Sequence, residues 1–149
     1  MIARRIGILL AALGCALLLA ACKTGAAGRP SVSTPDAMQP VRVTGTVTWR
    51  ERIAIPPDAQ VVVRLQDVSR MDAPAVVLAE QRFETAGRPP PFPFEFTIDA
   101  ANVNPSLRYT VAARVERGGQ LLFINDTAYP VITQGNGFTA RMMLVRPVR

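Results

Sequence analysis

From Val41 onward, apolar and polar residues alternate in short runs, a period of two that belongs to extended strands with one buried face. Val41, Val43, Val47 and Trp49 fall on one side of the first run, and Arg42, Thr44, Thr46 and Thr48 on the other. Gly45 interrupts the inward row and marks a bulge or a close approach by another backbone. Val61, Val63 and Leu65 alternate with Val62, Arg64 and Gln66, and Ala75 to Phe83 makes a third strand. The sharpest set is Phe92, Phe94, Phe96 and Ile98 against Pro93, Glu95 and Thr97. Pro93 has no backbone N–H, which predicts an edge position for that strand.

Leu107, Tyr109, Val111, Ala113 and Val115 alternate with Arg108, Thr110, Ala112, Arg114 and Glu116. Arg117-Gly118-Gly119-Gln120 then predicts a tight hairpin, because two glycines accept the positive φ of a type I′ turn. Leu121 to Ile124 reads as a returning strand buried on both faces. Phe138 to Val145 reads as a last strand with Phe138, Ala140, Met142 and Leu144 inward. Pro, Gly, Asn and Asp clusters separate these runs, and helical periodicity is confined to a turn near Ala100 to Val103. The expectation is an all-β domain over residues 41–149: a single small antiparallel β-sandwich of about seven strands.

The first forty residues follow another pattern. Arg4 and Arg5 precede an apolar run from Ile6 to Ala21, which ends in Leu19-Ala20-Ala21-Cys22. A basic start, a short apolar stretch and small residues before a cut site are the layout of a secretory signal, and this ending resembles a bacterial lipobox. Residues 1–21 are read as a lipoprotein signal peptide and Cys22 as the lipidation site, its sulfur carrying the anchor. The apolar run is shorter than the roughly 18 to 20 residues that cross a bilayer. Cys15 is the rival acceptor, and an ordinary secretory signal cut after Ala21 the rival reading. Residues 22–40, small, polar and punctuated by proline, are read as the lipidated N-terminus and a flexible tether.

Chemistry is narrowed by what the composition lacks. The chain has no histidine and two cysteines, Cys15 and Cys22. A Ser-His-Asp site and a histidine metal site are therefore excluded, and no metal or cofactor is expected. Without residues 1–21, fifteen basic residues face eleven acidic ones, a net charge of about +4 that is carried almost wholly by arginine. The arginines alternate with apolar residues and do not cluster, which argues for solvated strand faces over a nucleic-acid surface. Asp67, Asp72, Asp99 and Asp126 sit at strand ends and turns, where short polar side chains satisfy local backbone donors. A carboxylate-dependent envelope hydrolase would need two of them to converge. Two rows could instead bind a partner: Arg42, Thr44 and Arg50 along the first strand, and Arg108 and Arg114 along another. Side by side, they would form a flat basic surface for a carboxylate or peptide. The strand from Phe92 to Ile98 could also add a partner segment to its free edge.

Four stretches together resemble the YbaY/YscW family of small bacterial lipoproteins. They are Gly45 to Ala59 (GTVTWRERIAIPPDA), Val63 to Ala75 (VRLQDVSRMDAPA), Pro91 to Phe96 (PFPFEF), and Tyr109 through the Gly-Gly turn to Leu122-Phe123-Ile124-Asn125-Asp126-Thr127-Ala128-Tyr129-Pro130-Val131-Ile132-Thr133. The resemblance implies a lipid-tethered β-sandwich, and with the aspartates read as turn and strand-end residues the protein is expected not to be an enzyme. One branch of the family acts as a pilotin, which helps secretin subunits reach and assemble in the outer membrane. The expected role is thus a binding or assembly module for an envelope protein, such as a secretin, with membrane lipid as the second partner through Cys22. Lys23 is not the aspartate that typically retains lipoproteins at the inner membrane, so the expected location is the outer membrane, facing the periplasm. A structural envelope module without a dedicated client is the remaining alternative.

Overall fold

The alternating runs fold as eight strands: β1 Val41–Trp49, β2 Gln60–Asp67, β3 Val76–Glu84, β4 Phe92–Ile98, β5 Tyr109–Arg117, β6 Gln120–Ile124, β7 Tyr129–Val131 and β8 Thr139–Leu144. This is a computed structural model, and it describes residues 39–148. The signal peptide, Cys22 and the tether lie outside the described residues.

The strands form two sheets, one in the order β4-β1-β8 and the other β3-β2-β5-β6, with the short β7 also paired to β5. Their inward rows make the core, and the β4 row is buried at every second residue as its pattern requires. Trp49 is sandwiched between Phe92, with ring centroids 5.6 Å apart, and Phe123, 5.1 Å away. Gly45 is the predicted close approach: a Cβ there would lie 2.0 Å from the Ala140 carbonyl oxygen and 2.5 Å from a Phe94 ring carbon. Gly118 and Gly119 both have positive φ, 54° and 81°, as the hairpin turn demands. Tyr109, at the start of β5, accepts a hydrogen bond from the Asn104 N–H at 2.9 Å through its hydroxyl. That bond fixes the corner between the sheets in the manner of a tyrosine corner.

The expected all-β sandwich is what forms, with eight strands where about seven were expected, and three details differ. First, it is not wholly antiparallel, because β8 runs parallel to β1. After β7 the chain crosses to the other sheet through residues 132–138 and meets the free side of β1 running in the same direction. Second, β6 is not buried on both faces: Leu121 and Leu122 are half-buried and Ile124 is exposed, since the strand lies at the margin of its sheet. Third, Phe138 is 51% exposed and precedes β8. Its carbonyl, not its ring, is used, accepting the Thr44 N–H at 2.9 Å.

Candidate functional site

The two rows singled out in the sequence do not form one surface, because β1 belongs to one sheet and β5 to the other. Arg42 is exposed and paired with Glu95 on β4; that hydrogen bond, then the charge itself, raises its pKa. Thr44 is half-buried within the β1–β8 ladder. Arg114 lies on the outer face of its sheet with Nε 2.8 Å from Glu116. Arg108 is held by its backbone N–H, which donates to Ser69 Oγ at 2.7 Å, and by a guanidinium contact to the Val68 carbonyl at 3.4 Å. Arg50 stands apart at the end of β1, exposed and without an ion-pair partner among the described residues.

The acidic residues act locally. Asp67 Oδ1 accepts the Ser69 N–H at 2.8 Å, Asp99 Oδ1 the Ala101 N–H at 2.9 Å, and Asp126 Oδ1 the Thr127 hydroxyl at 3.0 Å. Among the described residues, no three acidic side chains cluster closely enough to hold a metal ion. The β4 edge is confirmed by topology, but its outer side is partly covered. The Glu95 N–H, two residues from Pro93 and therefore in the same phase, donates to Gln81 Oε1 of β3 at 3.3 Å.

Two adjoining clefts lie at the end where β1 finishes. The connection from Arg50 to Ala59 passes here without regular structure. Thr85, fully buried, clamps it by donating its hydroxyl to the Pro56 carbonyl at 2.9 Å and its N–H to the Ala59 carbonyl at 2.8 Å. The Ala86 N–H bonds the Pro57 carbonyl at 3.0 Å, and Arg117 pairs with Asp58 at 2.9 Å. Held this way, Ile53, Ala54 and Ile55 form a wall shared by two clefts. One, of about 530 Å³, opens toward Leu121, Leu122, Phe123 and Arg146. The other, of about 470 Å³, opens toward Trp49, Arg52, Arg88 and Pro90. Both volumes fall in the range of ligand-binding clefts. Arg88 lies over the Phe92 ring, 5.9 Å from its centroid, and Arg146 over the Phe123 ring, 5.8 Å away.

Of the residues around these clefts, the sequence reading had found Arg50 alone. Two signals were present: Ile53 and Ile55 carry apolar character past the end of the β1 alternation, and Arg88 and Arg146 each sit beside proline. Neither signal shows by itself that four separate segments meet.

The described residues thus form a two-sheet, all-β domain with two adjoining clefts at one end. Residues 38–144 match the profile of the type III secretion system lipoprotein chaperone family (YscW), and the chain belongs to that family. It is also similar to the uncharacterized lipoprotein YbaY of Escherichia coli K12, 41% identical over 115 residues. That match covers 77% of this chain and 60% of YbaY, so the chain spans less than two thirds of this relative's length. Among solved structures it is similar to an alternative pilotin from the type II secretion system of Vibrio cholerae. That likeness has 45% identity and a TM-score of 0.70, and covers 74% of this chain and all of the pilotin chain.

Proposed function

We propose that this protein is a non-enzymatic escort, anchored by lipid on Cys22 at the periplasmic face of the outer membrane, that binds an envelope protein and helps it assemble. The observation that carries the reading is the likeness to the type II pilotin. It takes in that whole chain and 74% of this one, at 45% identity. The family match over residues 38–144 supports the same role. A secretion-system component such as a secretin is the client class that this likeness favours. The sandwich would supply the docking surface, and the lipid would deliver the bound client to the membrane.

Crosslinking in whole cells tests the role. A reproducible protein adduct is expected from the intact chain. Cys22→Ala is expected to move the domain from the membrane fraction to the soluble periplasmic fraction, with client assembly impaired. Unchanged fractionation of that variant would remove the anchoring claim, and the absence of any reproducible adduct would remove the escort role.

A further inference from the structure

We infer that the paired clefts at the end of β1 dock a short acidic, amphipathic peptide segment of a partner protein, an assignment that rests on reading the domain as a binding module. Apolar side chains contribute to both clefts: Ile53, Ala54 and Ile55 line the two, and the half-buried Leu121 and Leu122 line one of them. Ile53 stands on the ridge between the clefts, 40% exposed. The rim is basic. Arg50, Arg52, Arg88 and Arg146 are exposed and have no ion-pair partner among the described residues, whereas Glu51 is the one acid in the two linings.

Most arginines on the sheet faces are arranged differently. Arg42, Arg64, Arg82 and Arg114 each reach a glutamate, and Arg141 on β8 is the exception. The end of β1 therefore combines a partly apolar hollow with four guanidinium groups that no carboxylate among the described residues reaches at ion-pair distance, against the single acid Glu51, whose Oε2 is buried without a hydrogen-bond partner. Carboxylates are the complementary ligand, since a guanidinium offers them two parallel donors. Contact with Phe92 and Phe123 restricts Arg88 and Arg146 in advance, which lowers the ordering cost of docking.

The shape favours a peptide over a bilayer. Two clefts divided by a ridge accept side chains, whereas a membrane surface is engaged by apolar groups that project from a convex face. The chain also enters the domain at Val41, the opposite end of β1, about 26 Å from Trp49 at about 3.3 Å per residue. An anchor upstream of Val41 thus joins the domain at the far side from the clefts.

Trp49 supplies the readout. It is the one tryptophan of the chain, 6% exposed, and it borders one cleft while stacking on Phe123 of the other. The full chain would be held in phosphatidylcholine nanodiscs and titrated with two fluorescein-labelled twelve-residue peptides of leucine and glutamate. One peptide alternates the two residues, and the other spaces leucine at helical intervals. At least one is expected to bind, to shift Trp49 emission, and to lose affinity as salt rises. Its lysine counterpart is expected to bind at least tenfold more weakly. Arg52→Glu combined with Arg146→Glu is expected to weaken binding at least tenfold, while Arg70→Glu, beyond the opposite end of β2, leaves it unchanged. Arg52→Glu alone, at an exposed and unpaired position, keeps the test valid if the double variant misfolds.

The inference is overturned if neither acidic peptide binds, if the lysine peptide binds equally well, or if charge reversal at the rim has no effect. It is also overturned if phosphatidylglycerol in the nanodisc shifts Trp49 emission without peptide, which would make this end a membrane contact. Peptide failure with whole-cell adducts intact removes the cleft and leaves the escort role. Peptide binding without any adduct does the reverse.

Discussion

Two kinds of glycine show how single residues set this fold. At Gly45 the constraint is steric: the Ala140 carbonyl and the Phe94 ring occupy the space of a side chain, and one of those neighbours is backbone that cannot rotate away. At Gly119 the constraint is conformational, with φ at 81° and open space where a side chain would go. The two costs should separate on mutation. Gly45→Ala must push β1 from β8 or displace Phe94, and the expected loss is about 3 kcal/mol, the upper part of the overpacking range. Gly119→Ala loses about 1 kcal/mol through left-handed backbone strain alone. Urea titration monitored through Trp49 checks both, with midpoints shifting at constant slope. Equal losses at the two sites would show that the β1–β8 approach is looser than the structure has it.

At the scale of strands, the outer side of β8 is the point most exposed to unpaired backbone. It is closed from the opposite sheet. The Tyr129 hydroxyl accepts the Met143 N–H at 2.7 Å and donates to the Met143 carbonyl at 3.4 Å, and Ile124 and Val145 exchange both backbone hydrogen bonds at 2.9 and 2.8 Å. One phenol thus stands in for a residue of a neighbouring strand. Tyr129→Phe keeps the ring and leaves the Met143 N–H without that partner, so a loss of about 1 to 2 kcal/mol is expected. Amide exchange at Met143 should quicken while Val43 and Val63 in the sheet centres stay protected. Uniform loss of protection across both sheets would instead mean that β8 and the core unfold together.

The strands themselves were legible in the sequence because each has one buried face, and a period of two is written directly into residue type. β1, β4 and β5 follow that rule, whereas Val62 of β2, expected outward, is buried like its neighbours Val61 and Val63, and β3 has no fully buried residue. β7, three residues long and containing Pro130, is too short to display a period. The parallel placement of β8 depends on the path of residues 132–138, which alternation does not encode. Phe138 misled because an aromatic residue in phase with a strand reads as inward even when the strand has not yet begun. The end clefts were the least legible feature. Their walls come from an irregular connection, the turn before β4, a hairpin and a C-terminal segment, and contacts from Thr85, Ala86 and Arg117, all distant in sequence, bring the irregular part into place.

Over the molecule as a whole, the arginines divide by role, and pH offers a way to separate the roles. On the outer face of the larger sheet, Glu80 bridges Arg64 and Arg82, and Glu116 bridges Arg82 and Arg114. Of the arginines without an ion pair among the described residues, Arg50, Arg52, Arg88 and Arg146 lie around the end of β1, while Arg141 lies within β8. The Glu80 carboxyl is held below its ordinary value of 4.5, first by the hydrogen bond from Arg64 and then by that from Arg82, with burial opposing both. A carboxyl whose pKa is depressed on folding binds fewer protons in the native state than in the unfolded chain. Stability therefore rises with pH across that interval. The contribution is complete above about 4.5 and disappears as pH falls through the lower native value. Asp58, depressed by Arg117, acts with the same sign at the end of the sandwich. Glu80→Gln should then reduce stability at pH 7 by less than about 1 kcal/mol, since the pairs are solvent-screened. The deficit should shrink toward zero in acid and diminish in high salt. Thermal unfolding followed from pH 7 to pH 2.5 decides the matter. Wild-type and variant curves that stay parallel across the acid range would mean that the face network contributes no proton-linked stability and serves only to neutralise the arginines it holds.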